Sequence, residues 1–304
     1  MTPAATATAL RGEVAVLVVA YGQPELLERS LSSVRELRGV VVDNSSDREV
    51  CKVVEQHGFS YLAPGDNLGF AGGVNLGLAE LGRQPTTPYV LLLNPDATLH
   101  PDDLERLRSA IRADDQLAAV APTLVSPDGR TEPTVWPGPS PAQAWAGAVG
   151  LRRTPRFTFL NGAVLLLSRR ALEAVGGFDT RFFMYAEECD WQYRATRAGW
   201  HVAHATEARA VHVGGATSSD PRRRLRWFHT SAALYVEKWY GRRGATIFLI
   251  GTAVAALRRI FTGGSEQRQA HVLALRLAAK NLRALYDTGL SHPQRGPGPQ
   301  PQPD

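Results

Sequence analysis

The sequence predicts an α/β protein with a mostly parallel sheet flanked by helices, followed by a C-terminal helical appendage. Three observations favour this class. Short, continuous apolar runs such as Val14–Ala20 are typical of parallel strands that are buried on both faces. Segments with apolar residues three or four positions apart follow these runs and indicate helices packed on the sheet. Beyond residue 219 the chain becomes strongly basic and contains two further helical patterns.

Strands and helices alternate over residues 12–122. After the first strand, Pro24 opens a helix at a position that favours proline, and Leu27, Leu31 and Val34 give this helix an apolar face. Ligands of such sheets bind at the carboxyl ends of the strands. The elements predicted next are strand Gly39–Asp43, helix Asp47–His57, strand Ser60–Leu62, helix Ala71–Leu81, strand Tyr89–Leu93, helix Asp102–Ala113 and strand Ala118–Pro122.

The remaining chain is less regular. Ser126–Arg156 is rich in proline and is predicted to be a long, partly ordered excursion. We expect a flexible N-terminus at residues 1–12, a sheet-containing domain at 13–219, a basic helical region at 220–290 and a disordered tail at 291–304. The later elements are predicted at Phe159–Leu167 (strand), Ser168–Val175 (helix), Glu187–Gly199 (helix), Arg209–Val213 (strand-like), Arg222–Tyr240 (helix) and Glu266–Tyr286 (helix).

The composition excludes several classes of protein. Cys51 and Cys189 are too few and too scattered for a disulfide framework or a zinc site, which favours a reducing, cytoplasmic setting. Val14–Ala20 is short and no cleavage site follows it, so we expect no secretory signal. Ala245–Leu257 has only 13 apolar or small residues before Arg258, so we expect no helix that spans a membrane.

The net charge of +5 is unevenly distributed. Residues 1–219 carry 20 Lys and Arg against 24 Asp and Glu, whereas residues 220–304 carry 14 against 5. Such asymmetry predicts an anionic partner for the C-terminal region, such as a membrane surface, a pyrophosphate or a nucleic acid. Because no nucleic-acid-binding motif accompanies the basic residues, we do not expect nucleic acid to be the partner.

Polar residues follow three of the predicted strands. The first strand ends at Ala20 and Tyr21, the second at Asp43, and the fourth is followed by Asn94 and Asp96. In an open parallel sheet the three strand ends converge on one crevice. There Asp43 could accept a hydrogen bond from the imide N–H of uracil or thymine, and Asp96 could bind a divalent cation that also grips a diphosphate. The alternative is that each acid is a helix cap or turn residue.

A glycine-rich loop at residues 66–75 precedes a predicted helix. Gly69 permits close approach of a ligand, and the loop, which also contains Asn67 and Asn75, aims backbone N–H groups at an anion. The loop is not a dinucleotide-binding fingerprint, because that motif follows the first strand of its fold.

The densest cluster of acids is formed by Glu187, Glu188 and Asp190, flanked by Tyr185 and Trp191. Like charges in close proximity raise at least one pKa, which suits a general base. The alternative is a solvated helix start, where acids complement the helix dipole. His212, at the end of a strand-like segment, is a candidate metal ligand, although a lone histidine is also common as a structural residue.

These features occur in motifs that resemble glycosyltransferase family 2, which has the Rossmann-like GT-A fold. Within that family the chain is most similar to bacterial rhamnosyltransferases that build cell-wall linkers and O-antigens. The similarity follows the order of the family's motifs over about residues 13–215. The matching segments are Val41–Asp47, Asn67–Gly77, Leu91–Ala97, Asn161–Asp179 and Arg181–Trp200.

The resemblance implies a role for each matched position. Asp43 reads the nucleotide base. Asp96 is the third residue of the family's acidic triplet, with Asn94 in place of the first, and it holds Mg²⁺ or Mn²⁺ on the diphosphate. His212 resembles a second metal ligand. Glu188 stands where the family has an Asp that acts as the catalytic base, so the side chain is one methylene longer here.

The implied reaction is transfer of a sugar from a nucleotide diphosphate-sugar, by resemblance dTDP-β-L-rhamnose, to a hydroxyl of a glycan or lipid-linked acceptor. Glu188 would take the proton of that hydroxyl, and a single displacement would invert the anomeric configuration. Gly162, Gly177 and Asp179 would shape the sugar pocket, although Gly177 could instead cap the preceding helix. The rival classes are a nucleotidyltransferase, which would need a basic glycine-rich loop early in the chain, and a non-catalytic nucleotide-sugar-binding module.

The basic C-terminal region is predicted to lie on a membrane surface. Its last helix has an apolar stripe beside a basic face, a pattern typical of interfacial helices. The alternative is that the stripe packs on the catalytic domain or on a second subunit, which would make a homodimer. The basic residues are Arg222, Arg223, Arg224, Arg226, Arg276, Lys280 and Arg283, and the stripe is Val272, Leu275, Ala279, Leu282 and Tyr286.

Overall fold

The computed structural model describes residues 10–83, 87–214, 220–262 and 264–291. The predictions for the N-terminus and the tail therefore fall almost entirely outside the described residues. Within them the strands are β1 Val14–Ala20, β2 Arg38–Asp43, β3 Ser60–Leu62, β4 Tyr89–Leu93, β5 Ala97–Leu99, β6 Leu117–Val125, β7 Val135–Pro137, β8 Thr158–Leu160, β9 Val164–Ser168 and β10 His201–His212.

Eight of these strands form one sheet in the order β3-β2-β1-β4-β9-β6-β10-β5. Strands β3, β2, β1 and β4 are parallel to one another, and so are β6 and β10. Strand β9 runs antiparallel to β4 and β6, and β5 runs antiparallel to β10. The prediction of a mostly parallel sheet is confirmed. The carboxyl ends of β1, β2 and β4 therefore open on the same edge.

Helices cover both faces of the sheet. Leu27 and Leu31 pack with one face of β1, whereas Leu17 and Val19 of its other face pack with Val74. A Cβ placed on Gly77 would lie 2.1 Å from Leu17 Cδ1, so glycine lets this helix lie directly on the strand. The helices are α1 Pro24–Ser33, α2 Arg48–Gln56, α3 Gly69–Arg83, α4 Pro101–Arg112, α5 Pro141–Val149, α6 Arg169–Val175, α7 Glu187–Arg197, α8 Pro221–Thr262 and α9 Ser265–Asp287.

The sequence predicted a single strand over the apolar run Phe159–Leu167, but the structure has two strands there, β8 and β9. Strands β8 and β9 are separated by a turn at residues 161–163, where the Asn161 Oδ1 accepts a hydrogen bond from the Ala163 N–H at 2.9 Å. The Asn161 N–H donates in turn to the Thr134 carbonyl at 2.8 Å. This turn brings Gly162 to the carboxyl edge of the sheet, because β9 runs antiparallel to β4.

The excursion Ser126–Arg156 is more ordered than predicted. Strand β7 pairs with β8 in a two-stranded sheet. Helix α5 begins after Ser140, whose Oγ accepts from the Gln143 N–H. Sequence patterns also missed β5, which has three residues, and they placed only the last residues of the 12-residue strand β10.

The C-terminal region consists of α8 and α9. Helix α8 contains the predicted helix Arg222–Tyr240 and the apolar segment after it, joined at Gly241, which has φ +68° and ψ 178° and separates two helical segments. Helix α9 packs along α8. Its buried face consists of Ala274, Leu277, Ala278, Asn281 and Leu285.

The predicted apolar stripe of α9 is not this buried face. Val272, Leu275 and Leu282 are partly buried, whereas Ala279 and Tyr286 are exposed. Two of these residues still contact α8 or its core: Leu282 packs against the apolar cluster that α8 helps to form, and the Tyr286 hydroxyl lies 2.7 Å from the Thr246 Oγ1. Among the described residues, only α8 is long and apolar enough to cross a membrane by length and composition, and 39% of its most apolar window is buried in the protein. The sequence expectation relied on an uninterrupted apolar run, which α8 lacks, although the most apolar part of this helix has a mean hydropathy of 1.5.

Candidate active site

The loops at the carboxyl edge of the sheet have unusual backbone geometry. Among the described residues, four that are not glycine have positive φ: Gln23 (59°), Ser46 (56°), Tyr185 (66°) and Ala186 (68°). Gln23 follows β1, Ser46 follows β2, and the other two immediately precede α7. Each such residue costs about 1 kcal/mol or more, and such strain concentrates at functional sites. The three loops therefore mark this edge as the candidate site.

Asp43 lies at the end of β2 and is fully buried. Its Oδ1 accepts hydrogen bonds from the N–H and the hydroxyl of Ser45, and its Oδ2 accepts from the Asp47 N–H and the Tyr61 hydroxyl, at 2.8 and 2.9 Å. These bonds fix the loop after β2. A further hydrogen bond, from the Gly22 N–H to the Ser45 Oγ at 2.9 Å, joins this loop to the end of β1, next to Ala20 and Tyr21.

The glycine-rich loop is fastened on two sides. Asn44 donates to the Gly69 carbonyl at 3.0 Å and accepts from the Leu68 N–H at 3.2 Å. The Asn67 Oδ1 accepts from the Gly69 N–H at 2.9 Å. Gly69 has φ +71°, and a Cβ there would lie 2.3 Å from the Phe183 carbonyl oxygen. Only glycine therefore fits where the loop docks on the segment that precedes α7.

That segment, residues 176–186, is also held by α3. Asn75 donates to the Phe178 carbonyl and accepts from the Phe178 N–H, both at 2.8 Å. A Cβ on Gly177 would lie 2.6 Å from the Asn75 Oδ1, so glycine is required for this contact. The observed contacts of Asn75 and Gly177 thus position the segment before the acids.

Asp179 is bound by two cations. Arg181 donates to both carboxylate oxygens, and the Lys238 Nζ lies 2.8 Å from Oδ2. Burial alone would raise the pKa of Asp179, but the hydrogen bonds from Arg181 and Lys238 hold it below its ordinary value. Lys238 also bonds to Asp190 at 2.5 Å, so one residue of α8 joins both acids.

Asp190 is fully buried, and both of its carboxylate oxygens accept hydrogen bonds. Besides Lys238, its carboxylate accepts from the Arg194 Nε at 3.0 Å and from the Trp239 Nε1 at 2.9 Å. Arg194 lies one turn further along the same helix, α7. In this geometry Asp190 anchors α8 to α7.

Glu187 and Glu188 differ from Asp190 because their charges are not matched. The Oε2 atoms of both are buried and have no hydrogen-bond partner among the described residues. Burial raises the pKa of Glu188 to about 7, against lowering by backbone hydrogen bonds. Burial, and then the charge of Glu188, raise the pKa of Glu187 well above its ordinary value. A carboxyl group with a pKa near neutrality is suited to move protons.

Gly162 lies directly against Glu188. A Cβ on Gly162 would be 3.4 Å from the Glu188 Cγ, and a backbone hydrogen bond from Gly162 is among the contacts that lower the pKa of Glu188. The same turn bonds to the residue that follows β4, since the Asn94 N–H donates to the Ala163 carbonyl at 2.9 Å. The loop that carries Asn94 and Asp96 is therefore next to the turn that contacts Glu188.

Asp96 and His212 face each other across the β5–β10 pair. The His212 Nε2 lies 3.6 Å from the Asp96 Oδ1, and the His212 Nδ1 lies 3.0 Å from the Glu132 Oε2. Asp96 and His212 are both largely buried. A carboxylate oxygen and an imidazole nitrogen that converge in this way fit a divalent cation. No cluster of three candidate metal ligands occurs among the described residues, so a bound cation would need oxygens from a ligand such as a diphosphate.

The structure thus brings the predicted residues to one edge of the sheet, and their individual roles stay predictions. Sequence reasoning missed Tyr61, Glu132 and Lys238. Tyr61 lies on a short strand. Glu132 is 80 residues away from its partner in the sequence, and Lys238 is 48 and 59 residues away from its two partners. No local pattern indicates such contacts.

The fold and the site together define a Rossmann-like α/β protein whose carboxyl-edge crevice carries acids, an imidazole and a glycine-rich loop. Residues 11–230 match the family described as "Glycosyltransferase like family 2", and the chain belongs to that family. The predicted resemblance is confirmed, and with it the assignment of the chain as a glycosyltransferase.

Characterised relatives share less than a third of their residues with the chain. N-acetylglucosaminyl-diphospho-decaprenol L-rhamnosyltransferase of Mycobacterium tuberculosis is 29% identical over 254 residues, covering 73% of this chain and 83% of the relative. The low-salt glycan biosynthesis hexosyltransferase Agl10 of Haloferax volcanii is 27% identical over 66% of this chain and 67% of its own length. Rhamnosyltransferase WbbL of Escherichia coli is 23% identical over 66% of this chain and 83% of its own length.

Solved structures share the fold. The mannosyltransferase PcManGT from Pyrobaculum calidifontis, determined with GDP-Man and Mn²⁺, superposes with a TM-score of 0.59 at 17% identity over 91% of this chain and 88% of that chain. S. aureus TarS residues 1–349 superpose with a TM-score of 0.52 at 12% identity over 90% of both chains. The GT-A fold predicted from the sequence motifs is confirmed.

Proposed function

We propose that this glycosyltransferase is metal-dependent and inverting, and that it transfers L-rhamnose from dTDP-β-L-rhamnose to a polyprenyl-diphosphate-linked sugar. The observation that carries the mechanism is Glu188, a half-buried residue whose carboxyl Oε2 is buried and whose pKa is raised to about 7, at a strained helix start. The sugar is proposed from the names of the Mycobacterium tuberculosis relative and of WbbL, and the acceptor from the name of the former. The dTDP carrier is proposed from the resemblance of the sequence motifs.

The chemistry is a single displacement. The acceptor hydroxyl oxygen attacks the anomeric carbon, Glu188 takes the hydroxyl proton, and the bond to the diphosphate breaks with its electron pair on the diphosphate oxygen. Attack from the face opposite the leaving group inverts the anomeric configuration. Glu187, buried beside Glu188, raises the proton affinity of the pair because both cannot ionise easily in a buried setting.

Asp96 and His212 would hold Mg²⁺ or Mn²⁺. The bound cation would stabilise negative charge on the diphosphate leaving group. Asp96 would supply a carboxylate oxygen and His212 its Nε2, while the N–H groups of the glycine-rich loop approach the phosphates. Asp43 would accept from the base if one of its present hydroxyl donors, Ser45 or Tyr61, turns away.

The remaining predicted residues would build the donor pocket. Ala20 and Tyr21 would line the side of the base, where the loops after β1 and β2 are tied together. Gly162 would leave room for the sugar beside Glu188, and Asp179 would shape the pocket through the segment it anchors. We further propose that the protein works at the inner face of the cell membrane, where a polyprenyl-linked acceptor would be embedded.

A donor screen tests the proposal. Purified protein is incubated with Mn²⁺, a GlcNAc-diphosphate-polyprenol acceptor and each of dTDP-, UDP- and GDP-sugars, and the released nucleotide is measured. We expect release of dTDP from dTDP-rhamnose, no release in excess EDTA, and an α-linked product by NMR. Binding of nucleotide-sugars without any turnover would instead indicate a binding module. Turnover that persists in EDTA would contradict metal dependence, and a β-linked product would contradict inversion.

A further inference from the structure

The second segment of α8 exposes a continuous apolar face. Ile247, Ile250, Val254, Leu257 and Phe261 follow one another at intervals of three or four, so they line one side of the helix over about four turns. Their exposed fractions are 48, 41, 38, 46 and 79%. The opposite side of the segment, including Ala245, Leu249 and Ala256, is buried. This apolar face therefore has no partner within the described residues.

The end of α5 extends the apolar face. Val149 and Leu151 are 60% and 68% exposed, and α5 is fixed to α8 by a hydrogen bond from the Trp145 Nε1 to the Ile247 carbonyl at 3.0 Å. Arg258 reaches from α8 to the Gly147 carbonyl at 3.2 Å. Contiguous patches of large apolar side chains on a soluble surface mark contact sites for proteins or membranes.

The charges around this face are of one sign. Arg243 lies at the start of this apolar face of α8. Because successive residues of a helix are about 100° apart, Arg242 and Arg258 lie on either side of the face. No Asp or Glu occurs between Glu237 and Glu266. A two-fold dimer through this face would bring the same arginines together, and such like-charge contacts are unfavourable. An anionic surface complements them.

We propose that this apolar face lies on a membrane that contains anionic lipids, with the five side chains of α8 at the boundary of headgroups and acyl chains and the arginines at the lipid phosphates. The segment lies along the surface and does not cross it, because its other side is packed against α5 and α9. The inference deepens the proposed action on a lipid-linked acceptor, but lipid binding can be measured without donor or acceptor.

Vesicle flotation tests the proposal with the full-length protein. Wild type should float with vesicles of phosphatidylcholine and phosphatidylglycerol and bind more weakly to phosphatidylcholine alone. Ile250→Asp with Leu257→Asp should lower binding at least about tenfold, whereas Val135→Asp, an exposed apolar position elsewhere, should not. Arg243→Glu should lower binding about fivefold or more, and Arg29→Glu, on the exposed side of α1, should have little effect.

Three results would overturn the proposal. One is wild type that stays at the bottom of the gradient with both lipid mixtures. Another is equal flotation of wild type and the double aspartate variant, with unchanged melting temperatures. The third is a wild-type dimer by light scattering that the double variant dissociates without any flotation, because a second copy would then cover the face. Each outcome is independent of the donor screen, so loss of turnover and loss of lipid binding can be told apart.

A separate observation concerns Glu132. If the His212 Nδ1 carries the proton that is shared with Glu132, its Nε2 presents a lone pair towards the Asp96 carboxylate. Two electron-rich atoms 3.6 Å apart repel unless a cation lies between them. We infer that Glu132 is a positioning residue, which selects the tautomer of His212 that can bind the metal, as carboxylates commonly do for metal-binding histidines.

Two readouts test this role. In ¹⁵N NMR spectra of the neutral imidazole, Glu132→Ala should lower the fraction of His212 that is protonated at Nδ1. The same variant should weaken Mn²⁺ binding, measured by EPR with dTDP present, by about tenfold or more, with partial rescue in Glu132→Gln. Asp128→Ala, in the preceding turn, is the control. An unchanged tautomer in Glu132→Ala would overturn the inference, whether or not the wild type binds Mn²⁺.

Discussion

Replacement of Glu188 by glutamine should stabilise the protein while it removes activity. The glutamine side chain has the same size but cannot ionise. In the folded state the buried carboxyl group resists ionisation, whereas in the unfolded chain it ionises at its ordinary pKa of 4.5. Wild type therefore bears a cost at neutral pH that the variant does not bear.

The size of this cost follows from the pKa. It rises from 4.5 to about 7 on folding, and each pKa unit corresponds to about 1.4 kcal/mol, so ionised Glu188 costs the folded state about 3 kcal/mol. Below pH 4.5 the group is neutral in both states and contributes nothing. Between pH 4.5 and 7 only the unfolded chain ionises, so the free energy of unfolding falls as pH rises. Above pH 7 the cost is constant.

The assay is urea denaturation of wild type and Glu188→Gln at pH values from 4.5 to 8. The variant should gain stability relative to wild type through this window, up to about 3 kcal/mol at pH 8. Glu28→Gln, on the exposed side of α1, should show no such trend. If the difference between Glu188→Gln and wild type is the same at pH 4.5 and pH 8, Glu188 ionises normally and the reasoning from burial is wrong.

Three further results are expected. The kcat/KM of wild type should fall about tenfold per pH unit below pH 7, because Glu188 must be ionised to accept a proton; a flat profile down to pH 5 would exclude it as the base. Lys238→Met should lower the free energy of unfolding by about 3 kcal/mol in urea titrations, because buried Asp190 and half-buried Asp179 lose a shared cation, whereas exposed Lys52→Met should have little effect. Gly69→Ala should weaken donor binding in calorimetry at least about tenfold, because its Cβ would meet a carbonyl oxygen at 2.3 Å; affinity equal to that of Gly82→Ala, a position with open space, would contradict this.

The sheet could be predicted well because its strands are buried on both faces. Continuous apolar runs such as Val14–Ala20 leave few alternatives, and the helix faces between them are regular. The break in Phe159–Leu167 was missed because the residues on both sides of it are apolar. The dipeptide Asn161-Gly162 was the available indication, since it is typical of turns.

The residues of the site could be predicted where they lie close together in the sequence, but the contacts that distinguish them could not. Glu187, Glu188 and Asp190 lie within four residues of one another, but their environments in the structure differ. Asp190 is bound by cations, whereas each glutamate has a buried oxygen without a hydrogen-bond partner among the described residues. That difference depends on Lys238, which comes from α8. A contact made by a distant helix has no trace in the local pattern, so the division of roles needed the folded structure.

The most direct test of the proposed mechanism is the rate of sugar transfer by Glu188→Gln, Glu187→Gln and Asp190→Asn, with donor affinity measured separately for each. Glu188→Gln should lower kcat by about 10²- to 10⁴-fold with little change in donor affinity, because the base acts only on the acceptor proton. If Glu188→Gln keeps the kcat of wild type while Glu187→Gln or Asp190→Asn loses it, Glu188 is not the base and the proposed mechanism is wrong.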